Sequence, residues 1–222
     1  MKYSKLFSPI QIRGVTFPNR VIQSAMGTLM IGADKKINQT VTDFLTARAK
    51  GGVGLVYGQC CGVDDHSTPE GFLCIGTDEQ GESHKMLTQS IHAVGGKAGI
   101  QLLQGAICAA PAKIYVPSDM PGFDGSIIPG MSKEDVQYIV EAFRKAAHRA
   151  VEAGYDIIEI HCAHGYLQYM FMNPTLNRRE DEYGGSFENR FRLAFETIAA
   201  VRSQMPDDMP LAIRIPSRDE GF

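Results

Sequence analysis

The chain has 222 residues, of which 44% are hydrophobic and 21% are charged, and its formal net charge at pH 7 is −3. This composition is ordinary for a globular protein, and a charge so close to zero gives no reason to expect nucleic acid or an anionic membrane as a partner. The first residues lack the apolar run of a signal peptide, and no stretch is long and apolar enough to span a bilayer.

Cysteine usage bears on the compartment and on metal sites. The chain has five cysteines, at scattered positions: Cys60, Cys61, Cys74, Cys108 and Cys162. The odd number and the spacing argue against a disulfide framework and against a zinc or iron–sulfur cluster within this chain. We therefore expect a reducing, cytoplasmic location and no metal site.

Short apolar runs alternate with longer amphipathic ones along the chain. Most of the short runs are rich in branched residues, which predicts buried strands of a parallel sheet, over residues 21–25, 53–57, 98–102, 157–160 and 211–215. The amphipathic runs predict four helices, over residues 40–50, 83–94, 132–154 and 186–203. Repeated strand–helix units imply βαβ crossovers, and hence an α/β fold. A (β/α)8 barrel and a doubly wound open sheet both remain open on this pattern.

Two segments depart from the alternation. Residues 10–17 alternate in polarity and turn at Gly14, which predicts a small β-hairpin that could plug the lower end of a barrel. Residues 107–130 contain four prolines and follow the third predicted strand. A loop of this length predicts a functional lid or rim, and a tolerated surface insertion is the alternative.

The fourth predicted strand ends in a cluster of polar rings, His161, His164 and Tyr166. The C-terminal ends of parallel strands are where α/β folds build their active sites. Two imidazoles spaced i, i+3 can direct ring nitrogens at one oxygen and stabilise an enolate as it forms. A tyrosine beside them is a proton-donor candidate. On the residues alone, catalysis, zinc binding and a satisfied buried pair all remain open.

The sequence around this cluster carries a long and specific motif. Residues 161–171 read HCAHGYLQYMF and residues 173–190 read NPTLNRREDEYGGSFENR, which strongly resembles the signature of the Old Yellow Enzyme, or NADH:flavin oxidoreductase, family. Residues 6–28, 99–104 and 211–216 resemble the family's opening hairpin with its first strand, its third strand and its fifth strand. The resemblance implies an α/β fold of the (β/α)8 TIM-barrel type with FMN at the C-terminal mouth. Residues 1–222 would then form a single partial barrel domain with strands 1–5.

The resemblance also implies which residues contact the flavin. They are Ala25, Met26 and Gly27 at the end of the first strand, Cys60 at the end of the second, Gln101 on the third and Arg214 on the fifth. Gln101 matches a glutamine that binds the pyrimidine edge of the ring, and Arg214 matches an arginine near N1 and O2. A cation there stabilises an anionic reduced flavin, an argument that stands without the family.

The same comparison assigns roles to the polar cluster. His161 and His164 match the pair that binds the carbonyl oxygen of the substrate. Tyr166 matches the residue that protonates the α-carbon while hydride goes to the β-carbon. The expected reaction is reduction of an α,β-unsaturated carbonyl or enoyl thioester, with NADH or NADPH as the electron donor. A homo-oligomer remains open. A 4Fe-4S cluster and FAD are expected only in longer relatives.

Three departures from the family pattern stand out. Gly27 lacks the Thr or Cys side chain that many relatives carry there, and residues 104–107 lack the usual His and Gly-Arg. The chain also stops at Phe222, just after the fifth predicted strand, whereas a closed barrel needs eight strands.

The early stop leads to a specific expectation. The family's phosphate-binding loops follow strands seven and eight, so we expect this chain alone to bind FMN poorly and to be inactive. An inactive truncated fragment is therefore the main alternative function. A metal-dependent barrel hydrolase that uses His161 and His164 is a minor one.

Overall fold

A computed structural model describes residues 3–105, 112–122 and 124–217. Strands and helices alternate through most of these residues, as the polarity pattern predicts. In chain order the elements are β1 (Ile10–Ile12), β2 (Val15–Phe17), β3 (Ile22–Gln23), α1 (Gln39–Lys50), β4 (Leu55–Gly62), a 3-10 turn (Asp65–Ser67), β5 (Leu73–Cys74), α2 (Asp78–Ala93), β6 (Lys97–Leu103), β7 (Met120–Pro121), β8 (Ile127–Ile128), α3 (Lys133–Glu152), β9 (Ile157–His161), α4 (Leu167–Met172), α5 (Phe187–Arg202) and β10 (Leu211–Arg214).

The main sheet is parallel and has the strand order β10-β9-β6-β4-β3, with the short β5 paired to the end of β4. The longer helices pack side by side along it, α1 on α2, α2 on α3, and α3 on α5. Their buried side chains join one face of the sheet in a single apolar cluster, while the other face packs against the N-terminal hairpin. Helices on one face of a curled parallel sheet are what a segment of a (β/α)8 barrel requires, whereas a doubly wound sheet carries helices on both faces.

Capping side chains determine where the helices begin. α3 starts after Ser132 and α5 after Ser186, as the sequence predicts, and each serine hydroxyl accepts a backbone N–H in the first turn. α2 begins at Asp78 rather than near residue 83, because Thr77 and Gln80 form a reciprocal capping box. The strand β4 runs on to Gly62, further than the predicted range, and its pairing with β6 is interrupted by a bulge after Tyr57.

The predicted hairpin is present as β1 and β2, and it lies at the N-terminal end of the sheet. Phe17 packs on Leu55, Tyr57 and Ile157, near the starts of β4 and β9, and is only 3% exposed. The turn at Gly14 donates its backbone N–H to the carbonyl of Asp208 at 2.8 Å. A side chain at Gly14 would come within 2.7 Å of Asp208, so the close approach requires glycine. The hairpin thus closes the lower end of the sheet.

Part of the predicted rim, residues 107–111 and Phe123, lies outside the described residues. The described remainder forms a small antiparallel ribbon of β7 and β8. Arg179, in the motif after β9, donates to the carbonyls of Pro117 and Met131 at 3.0 and 2.5 Å and pairs with Asp181 at 2.6 Å. The motif therefore anchors both ends of the ribbon. No helix in the described part of the chain is long and apolar enough to cross a membrane.

Candidate functional site

The candidate residues meet at the C-terminal edge of the sheet because four adjacent parallel strands end there. Cys60 on β4 lies opposite Gln101 on β6, and Arg214 on β10 lies opposite His161 on β9. Strand register alone therefore brings together four side chains that are far apart in sequence. The local sequence allows it because each strand is mostly apolar and carries its candidate residue in its C-terminal half.

The two histidines of the cluster contact each other. His164 Nδ1 lies 3.2 Å from His161 Nε2, and the ring centroids are 4.9 Å apart. His161 is buried, with 2% exposure, whereas His164 is exposed. Because one of the two facing nitrogens donates and the other accepts, the pair shares a single proton in this arrangement. The structure thus brings the predicted pair together, although the two rings bind one another rather than pointing at one common position.

Burial keeps His161 neutral. Burial, the proximity of His164 and the charge of Arg214 together lower the pKa of His161 to about 4. Its other ring nitrogen, Nδ1, is buried and has no hydrogen-bond partner among the described residues. A buried polar atom without a partner is costly, so it marks a place where a bound group would gain a hydrogen bond.

Tyr166 lies beside the histidines because of a strained turn. His164 and Gly165 both have positive φ angles, 59° and 77°, a conformation that is uncommon for a histidine. The turn places the Tyr166 ring centroid 5.0 Å from that of His161, at the residue that precedes α4. Such backbone strain concentrates at functional sites. The structure therefore gathers all three predicted catalytic residues in one cluster.

Gln101 is buried with 2% exposure, and its amide nitrogen donates to a carboxylate oxygen of Glu159 at 2.5 Å. Arg214 is half-buried two residues along β10 from Ala212, which lies opposite Glu159. Within the described part of the chain, no carboxylate pairs with the Arg214 guanidinium. Gln101 and Arg214, two of the predicted cofactor contacts, thus both lie near the C-terminal ends of their strands, where each presents a polar group. Glu159 was missed by the sequence reasoning, although a glutamate within the apolar run Ile157–His161 is a visible signal.

The segment after β3 is less enclosed. Met26 is 52% exposed, Gly27 has open space where a side chain would be, and Ala25 packs against the apolar cluster of the hairpin. Gln59, in the bulge of β4, accepts the backbone N–H of Thr28 at 3.1 Å and so fixes this segment beside β4. Its buried Nε2 has no hydrogen-bond partner among the described residues. Gln59 is a second residue that the sequence reasoning missed.

A cavity of about 220 Å³ opens beside the cluster. Cys60 and Tyr166 line it, and most of the remaining wall comes from the segment that runs from the end of β4 to the start of β5: Gly62, Ser67, Thr68, Pro69, Phe72 and Leu73, together with Leu103 and Gly105. Asp64 anchors this segment by accepting from Ser67 Oγ at 2.6 Å and from Tyr138 Oη at 2.7 Å. The segment carries no sequence motif, so its role in forming the wall could not be predicted.

Cys60 and Cys61 are adjacent in the sequence and point to different surroundings. Cys60 lines the cavity at the mouth, and burial raises the pKa of its thiol. Cys61 is fully buried on the helix side, with its sulfur 4.0 Å from His84 Nε2.

Among the described residues, no group of three or more His, Cys, Asp or Glu side chains is placed to hold a metal ion.

Comparison with known proteins identifies the family. The model of the NADH:flavin oxidoreductase / NADH oxidase family matches residues 5–221. The chain is 39% identical over 223 residues to an NADPH dehydrogenase of Listeria monocytogenes serotype 4a, and 40% identical over 229 residues to one of Bacillus licheniformis. These alignments cover 97% and 99% of this chain, but 64% and 65% of the relatives. The chain therefore spans less than two thirds of the length of these relatives.

Solved structures agree with this result. The crystal structure of Old Yellow Enzyme from Pichia sp. AKU4542 superposes with a TM-score of 0.89 at 27% identity, over 95% of this chain and 59% of that one. Morphinone reductase in complex with tetrahydroNAD superposes with a TM-score of 0.83 at 26% identity, over 95% of this chain and 63% of that one. The predicted barrel segment is thus confirmed, and the chain belongs to the NADH:flavin oxidoreductase / NADH oxidase family, the family of the Old Yellow Enzymes.

Proposed function

We propose that the protein is an FMN-dependent oxidoreductase that takes electrons from NADH or NADPH and reduces the carbon–carbon double bond of an α,β-unsaturated carbonyl compound or enoyl thioester. The observation that carries this proposal is the cluster of His161, His164 and Tyr166 on the same sheet edge as Gln101 and Arg214. Two relatives are named NADPH dehydrogenase, and morphinone reductase has been solved with tetrahydroNAD. These names support a nicotinamide coenzyme as the electron donor.

The residues at the strand ends fit the pyrimidine edge of FMN. Gln101 presents a buried amide whose nitrogen is already bound to Glu159, which leaves its oxygen as an acceptor for a ring N–H. Arg214 supplies a half-buried cation for the ring oxygen and N1. Met26, Gly27 and the neighbouring Ala25 would lie along the ring, beside Cys60. The proposed cofactor contacts thus combine one acceptor, one cation and small or flexible side chains.

The protein's own contribution to the reaction is to hold the substrate carbonyl and to deliver a proton. Bound FMN supplies hydride to the β-carbon of the substrate. His161 and His164 would hold the carbonyl oxygen, once their mutual hydrogen bond of 3.2 Å is exchanged for bonds to that oxygen. Because His161 stays neutral, it stabilises the developing enolate as a hydrogen-bond donor rather than as a cation. The Tyr166 hydroxyl would donate the proton to the α-carbon.

The adjoining cavity indicates the kind of substrate. Its wall is mostly apolar, from Pro69, Phe72, Leu73 and Leu103, and Tyr166 lies at its side. A dry cavity of about 150 Å³ lined by apolar side chains is known to accept benzene. The cavity of about 220 Å³ therefore has room for an apolar substituent of that size on the alkene.

A second candidate is that this chain alone is an inactive partial barrel. The strands β3 and β10 form the two ends of the sheet, and neither has a second neighbour among the described residues. Unpaired strand edges expose backbone groups that a closed barrel would satisfy. Apolar side chains also lie exposed there, with Ile22 at 56% and Ile215 at 66%. Under this candidate the flavin contacts are present, and turnover requires further strands.

The two candidates are separated by following both half-reactions. The 222-residue chain is mixed with FMN, reduced with NADPH in the absence of oxygen, and then mixed with 2-cyclohexenone while flavin absorbance is recorded. Rapid reoxidation by the enone supports the enzyme. Flavin that binds weakly, or that binds but does not exchange electrons, supports the partial barrel. Absence of any flavin binding would overturn the proposed function for this chain.

A further inference from the structure

Glu159 is a charged side chain on the inner face of the sheet. It lies on β9 with Gln101 of β6 as its neighbour on one side and Ala212 of β10 on the other. It lines the interior together with Tyr57 and Arg214, and its charge contributes to raising the pKa of the buried Tyr57 hydroxyl. Glu159 is half-buried, and a carboxylate that is partly withdrawn from water needs a hydrogen-bond partner. Gln101 supplies one.

The contact between Glu159 and Gln101 fixes which way the amide faces. A glutamine amide has a donor end and an acceptor end, and either can usually face a given neighbour. An ionised carboxylate is an acceptor only, so it selects the Gln101 amide nitrogen, which lies 2.5 Å from the Glu159 oxygen. The Gln101 oxygen then has to face away from Glu159. The orientation therefore follows from the charge of Glu159.

The fixed amide bears on which ring the site accepts. With 2% exposure, Gln101 cannot adjust through solvent, and its oxygen is available only as an acceptor. A ring edge with an N–H donor satisfies that oxygen, whereas an isosteric ring without the N–H leaves it unpaired at a cost. Sites built around a buried hydrogen bond reject analogues that lack it. Gln101 alone, without Glu159, could turn its donor end to a ring carbonyl of such an analogue.

We propose that Glu159 is a positioning residue that locks the Gln101 amide so that the site selects the imide N–H of the flavin pyrimidine ring. This role rests on the proposed function, because it presumes that the ring lies at Gln101. Glu159 itself need not touch the flavin. Its action is on the orientation of Gln101, and it makes the site selective for a ring N–H at that position.

The first test compares FMN with 3-deaza-FMN, in which a carbon atom replaces the pyrimidine N–H, so that the ring lacks this hydrogen-bond donor. Both are titrated into the unsubstituted chain and into Glu159→Gln, and binding is followed by quenching of flavin fluorescence. We expect the unsubstituted chain to prefer FMN by about tenfold, the value of one buried hydrogen bond. In Glu159→Gln the preference should fall below about threefold, because the neutral amide accepts either orientation of Gln101.

Controls separate orientation from stability. Glu152→Gln, at an exposed position on α3, should keep the tenfold preference. Because both flavins are measured in each variant, a general loss of affinity or stability cancels in the ratio. If Glu159→Gln lowers the melting temperature and leaves the preference unchanged, Glu159 is merely structural and the proposal is overturned.

A second measurement does not depend on flavin binding. In the flavin-free chain, the side-chain amide protons of Gln101 are followed by NMR, and the one that faces Glu159 should resonate at low field and move upfield in Glu159→Gln. Unchanged Gln101 resonances would overturn the proposal directly. If these resonances respond but the unsubstituted chain binds neither flavin, the proposed function fails, and the selecting role fails with it. If the Gln101 resonances respond and Glu159→Gln also loses the preference for FMN, the proposed function and the positioning role of Glu159 are both supported.

Discussion

The two ends of the sheet differ in how completely their groups are satisfied. At the N-terminal end, Phe17 and its neighbours form an apolar cluster, and the hairpin turn is bonded to the loop before β10. At the C-terminal end, Gln59 and His161 each bury a polar atom that has no partner within the described residues, and His164 has a strained backbone. The difference teaches that one end supplies stability, whereas the other retains unsatisfied groups that a ligand can satisfy.

Two buried histidines show the same contrast. Burial lowers the pKa of both His84 and His161 to about 4. The ring of His84 lies on the helix side of the sheet, and both of its nitrogens have partners, Tyr155 Oη at 2.7 Å and the carbonyl of Cys74 at 3.3 Å. His161 has one nitrogen facing His164 and the other without a partner in the described chain. The lowered pKa is therefore common to both histidines, whereas the unsatisfied ring nitrogen distinguishes His161, the one proposed to bind substrate.

The largest effect is expected at the mouth. Tyr166→Phe removes the proposed proton donor and should slow alkene reduction by about 10²–10⁴-fold, the usual contribution of general acid catalysis. Reduction of the flavin by NADPH should stay the same. Stopped-flow measurement of the two half-reactions checks this. If Tyr166→Phe matches the unsubstituted chain in the rates of both half-reactions, another group protonates the α-carbon.

At the N-terminal end, a substitution is expected to lower stability rather than the rate of alkene reduction. Phe17→Ala leaves a cavity among Leu55, Tyr57 and Ile157 and should lower the free energy of unfolding by about 3–5 kcal/mol. Ile12→Ala is the control, because Ile12 is 43% exposed in the same hairpin and should cost far less. Urea denaturation measures both. If the two variants lose equal stability, the hairpin does not close the barrel end.

His84 should make the stability depend on pH. Its folded pKa of about 4 lies below the unfolded value of about 6.5, so its contribution is complete above pH 6.5 and is lost as the pH falls towards 4. The shift corresponds to about 3 kcal/mol. His84→Gln should reduce the loss of unfolding free energy between pH 7 and pH 4 by a similar amount. His148→Gln, on the surface, should leave that loss unchanged. If His84→Gln loses as much unfolding free energy between pH 7 and pH 4 as the unsubstituted chain, His84 is not the source of the pH dependence.

The smallest effect is expected in the cavity. Phe72→Trp enlarges a wall residue, and should lower kcat/KM for an enone with a β-phenyl substituent by about tenfold relative to 2-cyclohexenone. The chain has no tryptophan, so the fluorescence of the new side chain also reports ligand entry. Phe187→Trp, on the exposed face of α5, is the matched control. If the ratio of kcat/KM for the two substrates is unchanged in Phe72→Trp, the cavity does not hold the phenyl substituent.

Much of the fold followed from the sequence because local signals and tertiary packing agree. The caps Ser132 and Ser186 placed two helix starts, and apolar runs placed the strands. The start of α2 was missed because the capping box at Thr77 precedes the apolar periodicity. The bulge after Tyr57 was missed because it depends on pairing with β6, which no local pattern encodes.

The site was predictable to the extent that it carries a motif. The residues His161, His164 and Tyr166 lie within one short run, and the structure groups them. The mutual hydrogen bond of the histidines and the lock of Gln101 by Glu159 depend on strand register and side-chain orientation. Those relations are set by the assembled sheet, so they could be found only in the structure.

The central claim is that the C-terminal mouth binds the pyrimidine edge of a flavin, and a fluorescence titration of the 222-residue chain with FMN tests it most directly. The account predicts weak but saturable quenching, weakened at least tenfold more by Arg214→Leu, which removes a charge-assisted hydrogen bond. Arg192→Leu, at a half-buried position on α5, should leave the titration curve unchanged. Quenching that does not saturate, or curves that coincide for the unsubstituted chain and Arg214→Leu, would contradict the claim.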